Sequence, residues 1–257
     1  MTRSGLVRAR RTVVTLAIIL VVWQLAAGAY AKPYILPTVT AVVDALIGNL
    51  REGKLLSQIQ ISLGRALAGY LLAVCLAIPA GIVTGWWKLA NDTLGSVLEL
   101  LRPVPALALI PLAIVWLGFG EPSKIAMIAY ASFFSVYINT QTGVRNVDPL
   151  HIKVMRVYGN GTRDIVTKVV LYSMLPYVFA GLRYSAAVAL ILLVAVELVG
   201  SQNGLGFFLF QSQAFLQVPD VFSAILVFGA MGFTANLLIL ALERRVIRWR
   251  QEVGAES

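Results

Sequence analysis

The 257-residue sequence has little charge and almost none of the side chains that form disulfides or bind transition metals. Charged residues make up 13% of the chain, whereas soluble domains carry roughly one quarter. Cys75 is the single cysteine, so no disulfide can form within the chain. His151 is the single histidine, and a zinc or haem site would have to be built almost entirely from carboxylates. We therefore expect no metal site and no cofactor in this chain.

Apolar residues, in contrast, make up 59% of the chain, and the mean hydropathy is +0.82. Soluble domains are roughly half apolar. A single domain of this length cannot bury so much apolar surface in its own interior. The excess indicates a protein whose apolar side chains face a lipid bilayer.

Six apolar runs come close to the ~20 residues that a helix needs to cross the hydrocarbon core of a bilayer. They cover 12–29, 62–87, 97–117, 125–139, 177–199 and 221–242. The sequence therefore predicts an all-α, polytopic membrane protein with six transmembrane helices in one domain over 1–257. The first run ends near Ala29-Tyr30-Ala31, which resembles a signal-peptide cleavage site. Because the run is longer than the ~7–15 apolar residues of a signal core, we expect a retained helix.

The basic residues, which give the chain a net charge of +9, cluster between these runs. The main clusters lie in 1–11, 141–168 and 243–257, and six crossings place all three on one side. Since short cytoplasmic segments are enriched in Lys and Arg, both tails are predicted to be cytoplasmic. The positive residues on the opposite side are exceptions: Arg51, Lys54 and Arg65. No basic stretch is interleaved with exposed aromatic residues, so we expect no nucleic-acid partner.

The segment 32–61, between the first two runs, is too polar to span a bilayer. Val42, Leu46 and Leu50 recur at helical spacing and form an apolar stripe. This pattern predicts an amphipathic helix at the outer membrane interface.

The third run contains Pro103, Pro105 and Pro111. Membrane helices tolerate such breaks only where neighbouring protein or a cavity satisfies the freed carbonyl groups, so this run is predicted to be a packed, interior element. The second run contains Gly81 and Gly85, a spacing that allows another helix to approach closely.

The longest polar segment, 146–176, carries the signals of two short helices. Asp148 followed by Pro149 is typical of a helix start. The Gly-Asn-Gly sequence at 159–161 is typical of a helix end. Thr162 can cap a second helix, which we expect to end at the proline that closes the segment. Such a helical elbow suits docking into a groove on a partner, whereas a plain connector, the alternative, is more often ~4–6 residues long.

This segment resembles the cytoplasmic loop of ABC-importer permeases. The motif there is Glu-Ala-Ala, a short spacer, Gly, and a longer spacer to an aliphatic residue and Leu-Pro. The matching positions here are Gly159, Val169, Leu171 and a second Leu-Pro at Leu175-Pro176. The strings 101–125 and 179–209 resemble the third and fifth helices of the permeases for nitrate, sulfonates and taurine. The resemblance covers about 36–242.

Two positions depart from the motif. Lys153-Val154-Met155 stands where Glu-Ala-Ala is expected, so a base replaces the acid. Tyr172 stands where the first Leu-Pro has its proline. The glycine is kept, so the elbow is expected to persist with a changed charge at its contact with the ATPase subunit.

The resemblance implies a type I ABC-importer permease fold in the bacterial cytoplasmic (inner) membrane, with no catalytic residues of its own. Two cytoplasmic ATPase subunits would bind ATP and Mg and dock on the elbow. A second permease copy would complete the pathway, and an extracytoplasmic solute-binding protein would deliver the solute. The implied coupling residues are Lys153, Val154, Met155, Arg156, Tyr158, Gly159, Asn160, Gly161 and Asp164.

The candidate pathway residues are Glu197, Ser132, Ser135 and Asn139. An intramembrane carboxylate either faces a pathway or hydrogen-bonds to a neighbouring helix, and hydroxyl and amide side chains also join helices. The solute implied is a sulfonate-, taurine- or nitrate-type anion or a related compound such as a vitamin precursor. The alternative function is a secondary transporter or channel that works without an ATPase. It would need charged residues near the midplane and often an internal repeat, and only Glu197 fits.

Overall fold

The computed structural model describes residues 3–30, 32 and 34–247, and all regular elements in these ranges are helices. The α-helices are α1 Arg3–Tyr30, α2 Val39–Arg51, α3 Lys54–Trp86, α4 Lys88–Ala90, α5 Ser96–Leu101, α6 Ala106–Leu117, α7 Glu121–Arg145, α8 Pro149–Val157, α9 Thr162–Ile165, α10 Leu171–Gly200, α11 Leu205–Ala214 and α12 Val218–Val246. Two π-helical turns, Asn91–Gly95 and Val166–Val170, join α4 to α5 and α9 to α10. The predicted all-α class is confirmed.

Four helical stretches within the described ranges are long and apolar enough to cross a bilayer. They are Arg10–Ala29, Lys54–Trp86, Thr162–Gly200 and Val218–Val246. A fifth candidate is the pair Lys88–Leu101 and Ala106–Leu117, which is bent by 96°. The fourth predicted run lies in α7, which has 25 residues but a more polar sequence. The chain is therefore a multi-pass membrane protein, and the count of six crossings stays a prediction.

The bend in the third predicted run lies at its paired prolines. Pro103 and Pro105 have no N–H to donate, and the backbone leaves the helix between α5 and α6. Pro111, in contrast, lies inside α6. Two of the three prolines therefore mark the break.

The described chain divides into two compact units, and the first contains residues up to 61 together with 202–228. Here Thr38 caps α2 by accepting a hydrogen bond from the Ala41 N–H at 3.2 Å. Val42 is buried, while Val43 and Ile47 are exposed in the chain, so α2 is amphipathic. α11, which the sequence did not predict, follows Gly204 at φ +106°.

The second unit contains 62–201 and the chain from 229 onward. Its helices α3 and α7 approach closely at glycines: a Cβ at Gly81 would lie 2.7 Å from the Thr140 Cβ, and one at Gly85 would lie 2.7 Å from the Val144 Cβ. The predicted role of this glycine pair is confirmed. A core near the elbow segment is formed by Val144, Val147, Ile165, Val170, Met174 and Val178.

Candidate functional site

The elbow segment begins with α8, whose start follows the predicted capping pattern. Asp148 is the N-cap residue, and its carboxylate accepts a hydrogen bond from the Leu150 N–H at 2.8 Å. Pro149 occupies the first helical position, where the missing N–H removes no helical hydrogen bond.

α8 ends at the glycine that the sequence singled out. Gly159 has φ +75°, the left-handed conformation that glycine adopts without a steric penalty. The N–H groups of Gly159 and Asn160 donate to the carbonyls of Arg156 and Met155 at 2.9 and 3.1 Å. The Asn160 side chain donates to the Met155 carbonyl as well, at 3.1 Å. These bonds satisfy the free carbonyls at the helix end and fix the turn.

The second half of the elbow differs from the prediction in two ways. Gly161, not Thr162, is the N-cap residue, and no side chain caps this helix. The helix also does not end at Pro176, because Thr162–Gly200 runs as one 39-residue stretch through the π-helical turn. Burial of Ile165 and Met174 in one core favours the continuous helix, and membrane helices tolerate a proline where neighbouring protein packs against it.

The outer surface of the elbow is apolar and basic. Val157 and Tyr158 are 86% and 80% exposed, and Leu150 is 62% exposed. The exposed basic side chains include Lys153 and Arg156. A shallow groove beside them is lined by His151, Val154, Met155, Lys168, Val169, Tyr172 and Ser173. Exposed apolar patches of this kind mark interaction surfaces.

The predicted coupling residues thus lie together on α8 and the following turn. Asp164 is the exception, since it lies in α9 and pairs with Lys168 at 2.7 Å. Met155 and Asn160 are half-buried, and the other coupling residues outside α9 are exposed.

A second cluster of polar groups is buried in the second unit, around Arg65 of α3. The Arg65 side chain is 2% exposed and binds two carboxylates. Its Nε and Nη2 donate to Oε2 and Oε1 of Glu121 at 2.7 and 2.6 Å. Its Nη1 donates to Oε1 of Glu197 at 2.8 Å. The Ser62 hydroxyl also lies 2.8 Å from both Glu197 oxygens.

The two carboxylates of this cluster differ in exposure. The Glu197 side chain is fully buried, whereas the Glu121 side chain is 53% exposed. Glu121 lies ahead of the apolar run 125–139, and hydrogen bonds from Arg65 lower the pKa of its carboxyl group below the ordinary value. Lys124, 8% exposed, lies 3.5 Å from the same carboxylate. Arg65 is therefore a neutralised charge, which accounts for its place on the predicted outer side.

The predicted pathway residues occupy different environments. Glu197 hydrogen-bonds to a neighbouring helix, which was the second alternative for an intramembrane carboxylate. Ser132 is fully buried, and its hydroxyl has no hydrogen-bond partner in the described part of the chain. Ser135 and Asn139 are half-buried, and the Asn139 amide donates to the Ser135 carbonyl of the same helix at 2.8 Å.

Sequence reasoning did not single out Glu121, Lys124 or the role of Arg65. A signal was present, because an arginine inside an apolar run needs a counter-charge and Glu197 needs one as well. The sequence alone did not indicate that the two side chains pair across 132 positions.

Three comparisons with known proteins agree. The family model for the binding-protein-dependent transport system inner membrane component matches residues 77–248. The chain is 37% identical to the putative aliphatic sulfonates transport permease protein SsuC of Bacillus subtilis, over 91% of this chain and 85% of that protein. It is 33% identical to the taurine transport system permease protein TauC of Escherichia coli, over 93% and 89%. It is 29% identical to the nitrate import permease protein NrtB of Leptolyngbya laminosa, over 92% and 87%.

Among solved structures, the fold is similar to one chain of the MetNI methionine ABC transporter in inward facing conformations. The TM-score is 0.58 at 17% identity, covering 73% of this chain and 95% of that chain.

Proposed function

The chain belongs to the family of binding-protein-dependent transport system inner membrane components, and on that premise we propose that it is the permease subunit of an ATP-driven importer. It forms the membrane pathway and hydrolyses no ATP itself. The protein lies in the cytoplasmic membrane, with both tails inside and six crossings.

The proposed solute is a small organic or inorganic anion. The relatives are named for aliphatic sulfonates, taurine and nitrate, and each of these carries a negatively charged group with two or more oxygens. The identity shared with them extends over most of the chain, which supports a solute of the same class.

The elbow is the observation that carries the coupling role. Its α8 surface exposes apolar side chains next to Lys153 and Arg156, and Gly159 fixes the turn by its left-handed backbone. A short helix with an exposed apolar face suits a groove on a partner. We assign that groove to a cytoplasmic ATPase subunit, which holds ATP and Mg. Two such subunits serve two permease copies, and a binding protein delivers solute from outside.

The pathway itself is assigned to polar side chains of α7, with Ser132, Ser135 and Asn139 as candidates. Glu197 is assigned a structural role beside them, because Arg65 and Ser62 bind its carboxylate.

Co-purification tests this function. The chain is expressed together with its neighbouring genes, extracted in mild detergent and purified, and its partners are identified. We expect an ATPase subunit in equal amount. We expect Gly159→Val to lose it, since a β-branched residue disfavours φ +75°.

Gly53→Val is the matched control. Gly53 has φ +72° and open space around it, so the substitution imposes similar backbone strain away from the elbow. This variant should keep the ATPase. A stable wild-type complex without an ATPase would contradict the importer and favour the secondary transporter or channel.

A further inference from the structure

The Arg65 cluster has the composition of an anion site whose place is taken by a side chain of the protein. Arg65 presents Nε and Nη2 as two parallel donors, and the Glu121 carboxylate accepts both at 2.7 and 2.6 Å. This bidentate geometry also suits other anions that present two oxygens side by side, such as a sulfonate or nitrate.

The two sides of the site differ in how firmly they are held. Glu197 is buried, bonded to Ser62 and fixed to Arg65 through Nη1. Glu121 is the first residue of α7 and is half exposed, so its side chain can turn into open space without breaking a packed core. The part of the cluster that can leave is therefore the bidentate carboxylate.

Departure of Glu121 would leave the remaining charges unbalanced. Arg65 and Lys124 are both at least nine-tenths buried and positive, and only Glu197 would oppose them. The start of α7 adds N–H groups that no side chain caps. A buried excess of positive charge is costly unless an anion replaces the carboxylate.

We propose that Arg65 and Lys124 form a binding site for the anionic group of the transported solute, and that Glu121 occupies this site when the solute is absent. The solute exchanges with the Glu121 carboxylate, taking the donors Nε and Nη2 of Arg65. Glu197 keeps the guanidinium in place during the exchange. This inference rests on the proposed function, because it takes the solute to be an anion.

The test uses the purified complex with its ATPase in neutral detergent, without binding protein. Methanesulfonate is the probe, and dimethyl sulfone is its uncharged counterpart of similar shape. Binding is measured as the rise in the temperature of heat-induced aggregation with probe concentration. We expect methanesulfonate to stabilise the complex in a saturable way and dimethyl sulfone to have no effect.

Three variants separate a binding site from a purely structural ion cluster. Glu121→Gln keeps the shape and removes the competing charge, so methanesulfonate should bind about tenfold more tightly. Arg65→Lys keeps the charge and removes the two parallel donors, so binding should be lost. Glu243→Gln removes the carboxylate that pairs with Arg183 at 3.5 Å elsewhere in the same unit, and it should bind the probe as the wild type does.

Each outcome decides between the alternatives. Equal affinities in the wild type and Glu121→Gln, or equal effects of the two probes, would overturn the anion site while recovery of the ATPase leaves the importer standing. A variant that responds to phosphatidylglycerol added to the detergent and not to methanesulfonate would assign the site to a lipid headgroup and overturn the solute. Absence of the ATPase would instead contradict the proposed function.

Discussion

Arg65 holds a full positive charge where only 2% of its side chain is exposed, and the cost of that burial is offset by two carboxylates. Removing one partner of a buried pair typically costs about 3–5 kcal/mol, because the other charge is left without compensation. Replacing both partners by apolar residues is often neutral.

Glu197→Gln should therefore destabilise the protein, toward the lower end of that range because Arg65 keeps Glu121. Thermal stability in detergent, measured by size-exclusion chromatography of heated samples, checks this. The double variant Arg65→Met with Glu197→Leu should recover most of the loss. Equal thermal stability of Glu197→Gln and the wild type would mean that the pair contributes little to folding.

This cluster marks the limit of sequence reasoning at the residue scale. Glu197 was identified as a buried carboxylate that needs a partner, but its partners come from α3, far along the chain. Gly159 was identified correctly because its signal is local: a glycine after a helical stripe. Local backbone signals can be predicted from sequence, and pairs between distant helices cannot.

The helices were predicted well where their signals are apolar and continuous. The errors fall where tertiary packing overrides a local breaker, as at Pro176, or where a helix follows a short polar link, as α11 does. The close approach of α3 and α7 rests on residues that lack a side chain, and the sequence did indicate this at Gly81 and Gly85.

Gly81→Ala tests that approach. The added Cβ would lie 2.7 Å from the Thr140 Cβ and 2.9 Å from the Tyr137 carbonyl oxygen, so the helices must move apart. Overpacking of this kind costs about 1–3 kcal/mol. The measurement is the midpoint of thermal aggregation of the purified protein.

Gly64→Ala in the same helix is the control. A Cβ at Gly64 meets nothing within 4 Å, and alanine is the better helix former by about 1 kcal/mol. We expect this variant to match or exceed the wild type. If both variants lower the midpoint equally, helix propensity and expression, not the contact of α3 with α7, account for the effect.

At the scale of the whole molecule, composition alone predicted a multi-pass membrane protein, since apolar side chains on α1, α3 and α12 are exposed along much of their length. The number of crossings depends on two elements with weaker signals. One is the pair of helices bent by 96°, and the other is α7, whose polar residues lower its hydropathy. Short basic segments predict the cytoplasmic side.

Cysteine labelling at three positions determines both crossings. In a Cys75→Ser background, Lys88→Cys, Phe119→Cys and Lys153→Cys place a thiol before the bent pair, between it and α7, and after α7, and all three positions are exposed. Six crossings with inner tails require a membrane-impermeant maleimide to label only Phe119→Cys in intact cells, and the other two only after permeabilisation. Labelling at 88 and 119 from the same side would mean that the bent pair re-enters and does not cross. Labelling at 119 and 153 from the same side would mean that α7 does not cross, and the elbow would then face away from a cytoplasmic ATPase.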